Sequence, residues 1–510
     1  MESSISRRDF LKMAGILPLS LGLPPFLRMY NPSQPPADGR KNVLVIVFDA
    51  FSAYNIPIYG YARETTPNLS RLAERAVVYH NHFAAGNFTT PGTASLLTGT
   101  LPWTHRAFQL NGTVNEAYAH KTVFEAFSRY HRIVYSHNPL VNTLFKQFTA
   151  DLDEYVPQDR LFLTADSFVH NRLGNDEDIA DVGWTRTIKK GEDGYSYSLF
   201  LSDLYKLYIQ NKIAKVGSRY PRGIPSIRGD NYFLLEDAID WLQSQIGRLP
   251  QPYLGYFHFM PPHAPTSTSV DFHGTFAHDA YSPPWKPTNV LSAKLTRPDL
   301  IRQRVAYDEY ILYLDREFGR LFDFLESSGV LENTWVILTS DHGELFERGV
   351  RGHISPLLYQ PVVRVPLMIF EPGRASGMQI DAATSAVDLL PTLLHVSGEN
   401  PVDWAEGAVL PPFAPTVPDP QRVVYSLHTR ENDPDKALTQ GSVMMVQGKY
   451  KLTCYFGYEQ LGNDKLRVEL YDIQSDPEEL HDLTDEAPDT AAALLAALKQ
   501  KLDEINRPYL

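Results

Sequence analysis

Four short segments, far apart in the chain, carry the side chains from which a metal site and a nucleophile can be built. Asp49 follows directly on the apolar run Asn42 to Phe48. Thr89 opens the hydroxyl-rich stretch Thr89-Thr90-Pro91-Gly92-Thr93-Ala94-Ser95-Leu96-Leu97-Thr98-Gly99. His258 to Pro265 reads HFMPPHAP, and Ser340-Asp341-His342-Gly343-Glu344 follows a second apolar run. A carboxylate and an imidazole side by side offer hard oxygen and borderline nitrogen to one divalent cation. Each segment is weak alone; an isolated Ser-Asp-His-Gly is more often a turn than a ligand pair.

The elements that must position these groups read as α/β. Asn42 to Phe48 (NVLVIVF) is apolar without alternation, so both faces of this strand are expected to be buried, as in a parallel sheet covered by helices. Trp335 to Ser340 is a second such strand running into an acid. Thr66-Pro67 reads as a helix start with Leu69, Leu72, Ala73 and Ala76 on one face, and Leu300 to Leu325 as a long helix ending at Gly329. Strand, acid and helix alternate, which predicts a mostly parallel sheet sandwiched by helices, with Asp49 and Asp341 beyond the carboxyl ends of its strands, where ligands bind. Val423 to Ser426, Tyr450 to Phe456 and Leu466 to Ile473 suggest a small C-terminal α+β subdomain closed by a helix over Ala487 to Ile505. The boundary falls near residue 415, giving a main domain over 42–415 and a subdomain over 416–510. Residues 150–235 give weak, mixed patterns.

The chain has 510 residues, 43% apolar and 21% charged, enough for a large globular core. With 47 Lys and Arg against 60 Asp and Glu, the net charge is −13. That balance speaks against a general nucleic-acid binder, which needs a basic face. One cysteine, Cys454, excludes an intrachain disulfide and reads as a small apolar filler. Ser6-Arg7-Arg8-Asp9-Phe10-Leu11-Lys12, ahead of a modest apolar stretch, is similar to a twin-arginine export signal. Residues 1–30 are therefore expected to be an export leader and 31–41 a linker. Export by the twin-arginine machinery places the folded protein in the periplasm or at the cell surface. No clean cleavage site follows, so the leader also offers a membrane anchor. No later run of 18 apolar residues predicts a membrane span in the body.

Taken together and in order, the motifs resemble the sulfatase family of the alkaline phosphatase superfamily. The resemblance runs from about residue 42 to 485 and rests on Val47-Phe48-Asp49, Thr98-Gly99 and Thr339-Ser340-Asp341-His342-Gly343-Glu344. It continues through Gly352-His353, Arg364-Val365-Pro366-Leu367, Asp388-Leu389-Leu390-Pro391-Thr392-Leu393, Glu469-Leu470-Tyr471-Asp472 and Asp476-Pro477-Glu478-Glu479. The departures are informative. Where sulfatases carry C/S-x-P-x-R and mature a formylglycine, this chain has Thr89, Pro91 and Thr93; the β-methyl of threonine closes the aldehyde route and the arginine is missing. Asp49 is followed by Ala50 rather than a second acid, and Asp341 by His342 rather than Asn.

This combination resembles phosphonate monoester hydrolases, and the Thr-nucleophile lipoteichoic-acid synthases and phosphoethanolamine transferases. The resemblance implies one divalent metal on Asp49, Thr89, Asp341 and His342, with Mn²⁺ or Zn²⁺ suiting the mixed donors better than Ca²⁺, which stays open. It implies Thr89 as a metal-activated nucleophile at a helix start, where free N–H groups face a tetrahedral anion. His263, in Pro262-His263-Ala264-Pro265, is implied to contact that anion, His353 to act as general acid, and Asn111 to bind the anion, although a turn residue is its commoner role.

The remaining candidates read as structural. His258, five residues before His263 at a strand end, reads as core or as support behind the ligands, with core preferred. Asp388 and His395 are taken as helix packing, and Tyr307, Tyr310 and Tyr313 as core and rim. The leading expectation is a metal-dependent hydrolase of sulfate, phosphate or phosphonate esters on a small-molecule, glycan or lipid alcohol. The missing arginine favours a singly charged group, a phosphodiester or a sulfate monoester. The alternatives are an exported phosphoryl or phosphoglycerol transferase, and a degenerate domain that binds anionic glycans.

Overall fold

The first strand shows how the fold is built. Its odd residues, Val43, Val45 and Val47, enter one hydrophobic core, and its even residues, Leu44, Ile46 and Phe48, enter another. Alternate side chains of a strand point to opposite faces, so a strand apolar throughout needs a cover on both sides. The computed structural model describes residues 39–163, 196–227, 231–415, 419–462 and 465–510. The leader 1–30 and most of the linker lie outside the described residues.

In chain order the strands are β1 Asn42–Phe48, β2 Val77–Phe83, β3 His131–Ser136, β4 Glu154–Tyr155, β5 Tyr253–Phe259 and β6 Thr334–Thr339. A hairpin of β7 Leu345–Glu347 and β8 Val350–Gly352 follows, then β9 Leu367–Phe370 and β10 Met378–Ser385. The last four are β11 Val423–His428, β12 Gly441–Gln447, β13 Tyr450–Phe456 and β14 Leu466–Asp472. The large sheet has the order β10-β2-β9-β6-β1-β5-β3-β4. Only β9 runs against its neighbours β6 and β2; the other pairings are parallel. The second sheet, β11-β12-β13-β14, is antiparallel throughout.

Helices Thr89–Thr98, Pro139–Gln147 and Leu389–Ser397 pack with the odd residues of β1, and helices Pro67–Leu72, Leu235–Ile246 and Arg297–Ser327 with the even ones. The protein is a mixed α/β fold with a large, mostly parallel central sheet between helices and a C-terminal antiparallel sheet. Leu427, Val443, Leu452 and Leu470 of that second sheet, with Leu494 and Leu498 of the closing helix Pro488–Asn506, lie in the same core as Val43.

The helix begun at Thr66-Pro67 ends earlier than its apolar spacing suggests. It stops at Leu72, Ala73–Arg75 tightens into a 3₁₀ turn, and Ala76 is already extended. Pairing of Val77 and Val78 with β9 and β10 overrides the helical period there. Arg297–Ser327 is capped by Thr296, whose side chain accepts from the Asp299 N–H, and its end passes to Gly329 at φ +75°. Tyr307, Tyr310 and Tyr313 on that helix are buried. Asp388 and His395 do not share a ligand: Asp388 closes a capping box with Ser385 and pairs with Arg422, whereas His395 is exposed. Cys454 is buried in the core. Among the described residues no helix is long and apolar enough to cross a membrane.

Candidate active site

Strand parity delivers the polar groups to one place. In β1 the series Val43, Val45, Val47 continues to Asp49, and in β6 Trp335 and Ile337 continue through Thr339 to Asp341. In β5 Leu254 and Tyr256 lead to His258, and in β3 Val134 leads through Ser136 to Asn138. These four parallel strands are adjacent, in the order β6-β1-β5-β3, with Val47 level with both Thr339 and His258. The acids, the imidazole and the amide thus meet at the carboxyl edge, on the side covered by helix Thr89–Thr98.

Asp49, Asp341 and His342 are fully buried and hold ligand atoms within 4.8 Å of one another. His342 Nε2 lies 3.5 Å from Asp49 Oδ1 and 3.5 Å from Asp341 Oδ2. His342 Nδ1–H donates to the Gly343 carbonyl at 2.9 Å, which leaves the lone pair of Nε2 facing the acids. Asp341 Oδ1 accepts from the Ala50 and His342 N–H groups at 3.2 and 3.0 Å, leaving Oδ2 to the cluster. Asp49 Oδ1, Asp341 Oδ2 and His258 Nε2 are buried without a hydrogen-bond partner. Two facing carboxylates with orphaned oxygens cost several kcal/mol unless a cation compensates them. The residues present therefore fit a divalent metal ion.

The electrostatics agree. Burial and the charge of Asp49 push the Asp341 carboxyl well above its usual range. Asp49 itself is held low in spite of burial by the imidazoles of His263, His258 and His342. Burial and the nearby His353 keep His342 neutral, as a metal ligand must be. Two acids in one dry site cannot both ionise without a counter-charge.

Thr89 is the first residue of its helix, with Phe88 as the cap and no side-chain cap bond. Its Oγ1 lies 3.4 Å from His342 Nε2 and accepts from Asn138 Nδ2 at 3.4 Å. Asn138 Nδ2 also donates to Asp49 Oδ2 at 2.5 Å. The N–H groups of Thr89 and Thr90 have no acceptor within the helix and Pro91 has no N–H, so the first turn presents donors where an anion would sit. The helix start is pressed onto the acid: a Cβ on Gly92 would stand 2.3 Å from the Asp341 carbonyl oxygen.

Three imidazoles form one wall. The His353 ring is 4.2 Å from that of His342 and 4.9 Å from that of His263. His263 Nδ1–H donates to the Ala264 carbonyl at 2.6 Å. His353 Nδ1 meets Glu344 Oε2 at 2.6 Å; burial works against its charged form, but the Glu344 carboxylate raises its pKa above the ordinary histidine range. Asn87, just ahead of the Thr89 helix, donates to the carbonyls of His353 and Ser355 at 2.6 and 2.8 Å and fixes that loop.

Of the residues singled out from sequence, Asp49, Thr89, Asp341, His342, His263 and His353 are brought together. Asn111 is not: it is exposed on the turn after Gln109, and no hydrogen bond ties it to the cluster. The turn itself is held close by Thr90 Oγ1, which donates to Leu110 O at 2.7 Å. Of the two readings of His258, core or support behind the ligands, the preferred one is incomplete. His258 is fully buried, yet its Nε2 lies 3.4 Å from Asp49 Oδ2 and 3.7 Å from Asp341 Oδ2. Its parity in YLGYFHF was the available signal. Asn138 was missed; the Asn-Pro pair ahead of LVNTLFKQ marks it as a helix cap, and its side-chain oxygen does accept from Leu140 N. Thr93, where sulfatases carry the motif arginine, is buried with Oγ1 unpartnered, and among the described residues no Lys or Arg bonds to the cluster.

The sulfatase family model matches residues 41–399, and the model of the N-sulphoglucosamine sulphohydrolase C-terminal region matches residues 354–508. The chain is 26% identical over 507 residues to the multifunctional alkaline phosphatase superfamily protein PehA of Trinickia caryophylli, covering 91% of this chain and 94% of that one. It is 25% identical over 481 residues to the choline-sulfatase of Rhizobium meliloti, covering 88% and 83%. Among solved structures, the phosphonate monoester hydrolase of Agrobacterium radiobacter superposes with a TM-score of 0.65 at 21% identity, covering 92% and 96%. A second, in complex with its substrate D-glucosamine-2-N,6-O-disulfate, superposes with a TM-score of 0.62 at 17% identity, covering 91% and 98%. These structural likenesses speak for the fold.

Proposed function

The chain belongs to the sulfatase family and is an ester hydrolase, and from that premise we propose that it cleaves sulfate or phosphate/phosphonate esters with Thr89 as the nucleophile. The observation that carries this reading is the position of Thr89 Oγ1, at a helix start, 3.4 Å from His342 Nε2 and beside the buried acids. A divalent cation held by Asp49, Asp341, His342 and Thr89, Mn²⁺ or Zn²⁺ by donor type, would lower the pKa of the Thr89 hydroxyl and polarise the ester. Asn138 orients the Thr89 oxygen, and the N–H groups of Thr89 and Thr90 receive the anion. Thr89 Oγ, its proton released to water, displaces the alcohol in line, forming an ester between Thr89 and the sulfuryl or phosphoryl group. The His353 imidazolium, held charged by Glu344, gives its proton to the leaving oxygen, and His263 flanks the anion from the same wall. Water then cleaves the Thr89 ester and releases the inorganic or monoester anion.

The relatives named for choline sulfate and phosphonate monoesters bracket the substrate class. Thr93 in place of the arginine leaves the pocket short of one cation, which favours a group carrying one negative charge: a phosphodiester or a sulfate monoester. The test compares matched aryl sulfate and aryl phosphodiester turnover by Mn²⁺-loaded protein, with Thr89→Ala as control. Turnover of either ester lost by at least about 100-fold in the variant supports the reading. Full activity in Thr89→Ala overturns the nucleophile assignment, and transfer to an added alcohol in place of hydrolysis overturns the hydrolase. Residues 1–30 are proposed to send the folded protein out through the twin-arginine route; cell fractionation of an Arg7→Lys/Arg8→Lys variant checks this by retention inside the cell.

A further inference from the structure

Ala50, next to Asp49, has φ +58°, in the left-handed region where a Cβ crowds its own backbone. The turn it starts is pinned at separate points. Ala50 N donates to Asp341 Oδ1, and Phe51 N to Ser340 Oγ at 2.9 Å, so two ties come from the segment that bears the other ligands. The third comes from elsewhere: the Tyr307 hydroxyl, on helix Arg297–Ser327, donates to Ala50 O at 2.6 Å and accepts from Ser52 N at 3.0 Å. The Tyr307 ring is buried, with the Phe346 ring 5.0 Å away, and cannot swing out. Three residues on, Tyr310 is equally buried but its hydroxyl has no partner. A tyrosine that only filled space would look like Tyr310.

We propose that Tyr307 is a positioning residue for the metal site: its hydroxyl locks Ala50 in the left-handed conformation and so aims the Asp49 carboxylate at Asp341 and His342. The inference rests on reading Asp49 as a metal ligand. Removal of the phenol oxygen leaves Ala50 O and Ser52 N–H unpartnered and frees the strained peptide to relax, carrying Asp49 with it.

Mn²⁺ affinity, measured by titration calorimetry on full-length protein, tests this without reference to turnover. Tyr307→Phe is expected to weaken Mn²⁺ binding by about tenfold or more, the usual effect of losing an outer-shell partner. Tyr310→Phe is expected to stay within about twofold. Glycine takes positive φ without a clamp, so in an Ala50→Gly background the Tyr307→Phe penalty is expected to shrink to about threefold or less. This double variant also serves should Tyr307→Phe alone fold poorly. Mn²⁺ binding by Tyr307→Phe equal to that of the unaltered protein overturns the clamp and leaves the metal reading standing. Equal losses in Tyr307→Phe and Tyr310→Phe also overturn it, as a packing effect. Unaltered protein that binds neither Mn²⁺ nor Zn²⁺ overturns the metal reading itself, and the clamp with it.

Discussion

Replacing Gly92 by alanine tests whether the helix that carries Thr89 is seated on the Asp341 backbone. The added Cβ would stand 2.3 Å from Asp341 O and 3.0 Å from its carbonyl carbon. Side-chain carbons need at least 3.0 Å, and ordinary contact begins at 3.4 Å. The two segments must therefore separate by about 0.7 to 1.1 Å. Neither side yields easily. Asp341 is held through Ala50 N and His342 N, and the helix start is backed by Gly86, whose own Cβ would be 2.8 Å from the Pro91 side chain. The Thr89 Oγ1 to His342 Nε2 separation, 3.4 Å now, then opens past hydrogen-bonding reach. A misplacement of about 1 Å costs on the order of 100-fold in rate, close to 2.7 kcal/mol of barrier, and overpacking costs about 1–3 kcal/mol of stability. The assay is steady-state hydrolysis of the best aryl ester beside a thermal melt, with the loss expected in kcat. If Gly92→Ala keeps kcat/KM within about threefold, the seating argument is wrong.

Asn138→Ser keeps a helix-capping oxygen but removes the Nδ2 donor, so kcat is expected to fall about 10–100-fold with the melting temperature changed by only a few degrees; paired kinetics and melts decide it. Chelation is expected to lower the melting temperature, and Mn²⁺ at 100 times its Kd to restore about 2.7 kcal/mol, read by differential scanning calorimetry. Burial holds His82, His105 and His428 neutral, each with a pKa lowered to about 3, with nearby Arg422 and Arg430 adding to the effect at His82 and His428. The unfolded chain binds these protons below about pH 6.5 and the folded one only near pH 3, so stability present above pH 6.5 is lost as the pH falls through that window. At pH 5 the loss is about 2 kcal/mol for each histidine, offset by about 1 kcal/mol from Asp315, whose pKa burial raises to about 6. Urea melts at pH 7 and pH 5 should differ by several kcal/mol, and equal midpoints would contradict the assignment. Arg422→Ala strips buried Asp388 of its cation and is expected to cost about 2 kcal/mol in the melt while leaving Mn²⁺ affinity unchanged.

The parts of the site that the sequence made legible are those that sit next to a strong local signal. Asp49 and Asp341 follow runs apolar on both faces, and Thr89 precedes a Pro and a Gly-terminated helix, so each could be placed at an element end. His258 was harder because it lies inside an aromatic strand, where burial is the ordinary fate of a histidine; only its parity with Leu254 and Tyr256 tells which wall it faces. Asn138 was missed because HRIVYS is half polar and β3 was not recognised. β2 and β10 escaped for a related reason: near the edge of the sheet, strands such as MQIDAATS are partly exposed and lose the apolar signature, whereas β9, LMIF, is buried throughout but only four residues long. Two short-range readings lost to long-range pairing, since Ala73 and Ala76 follow a helical period but yield to the β2 ladder. Asn111 shows the opposite limit, where a motif position alone does not bring a side chain into contact.

The central position of β1 bears on how the chain is made. Its two neighbours, β5 and β6, arrive late: Asn42 waits for Tyr253, 211 residues further on, and for Thr334, 292 residues on. At a synthesis rate of about 5–20 residues per second, the hydrophobic run Val43 to Phe48 spends about 15–60 s outside the ribosome before β6 can cover it. Until β5 emerges the nascent chain carries an unshielded strand with two open ladders, and until β6 emerges one ladder stays open, the species that chaperones hold and that aggregation consumes. Expression of this protein should therefore depend on temperature and chaperone supply more steeply than its final stability alone would suggest.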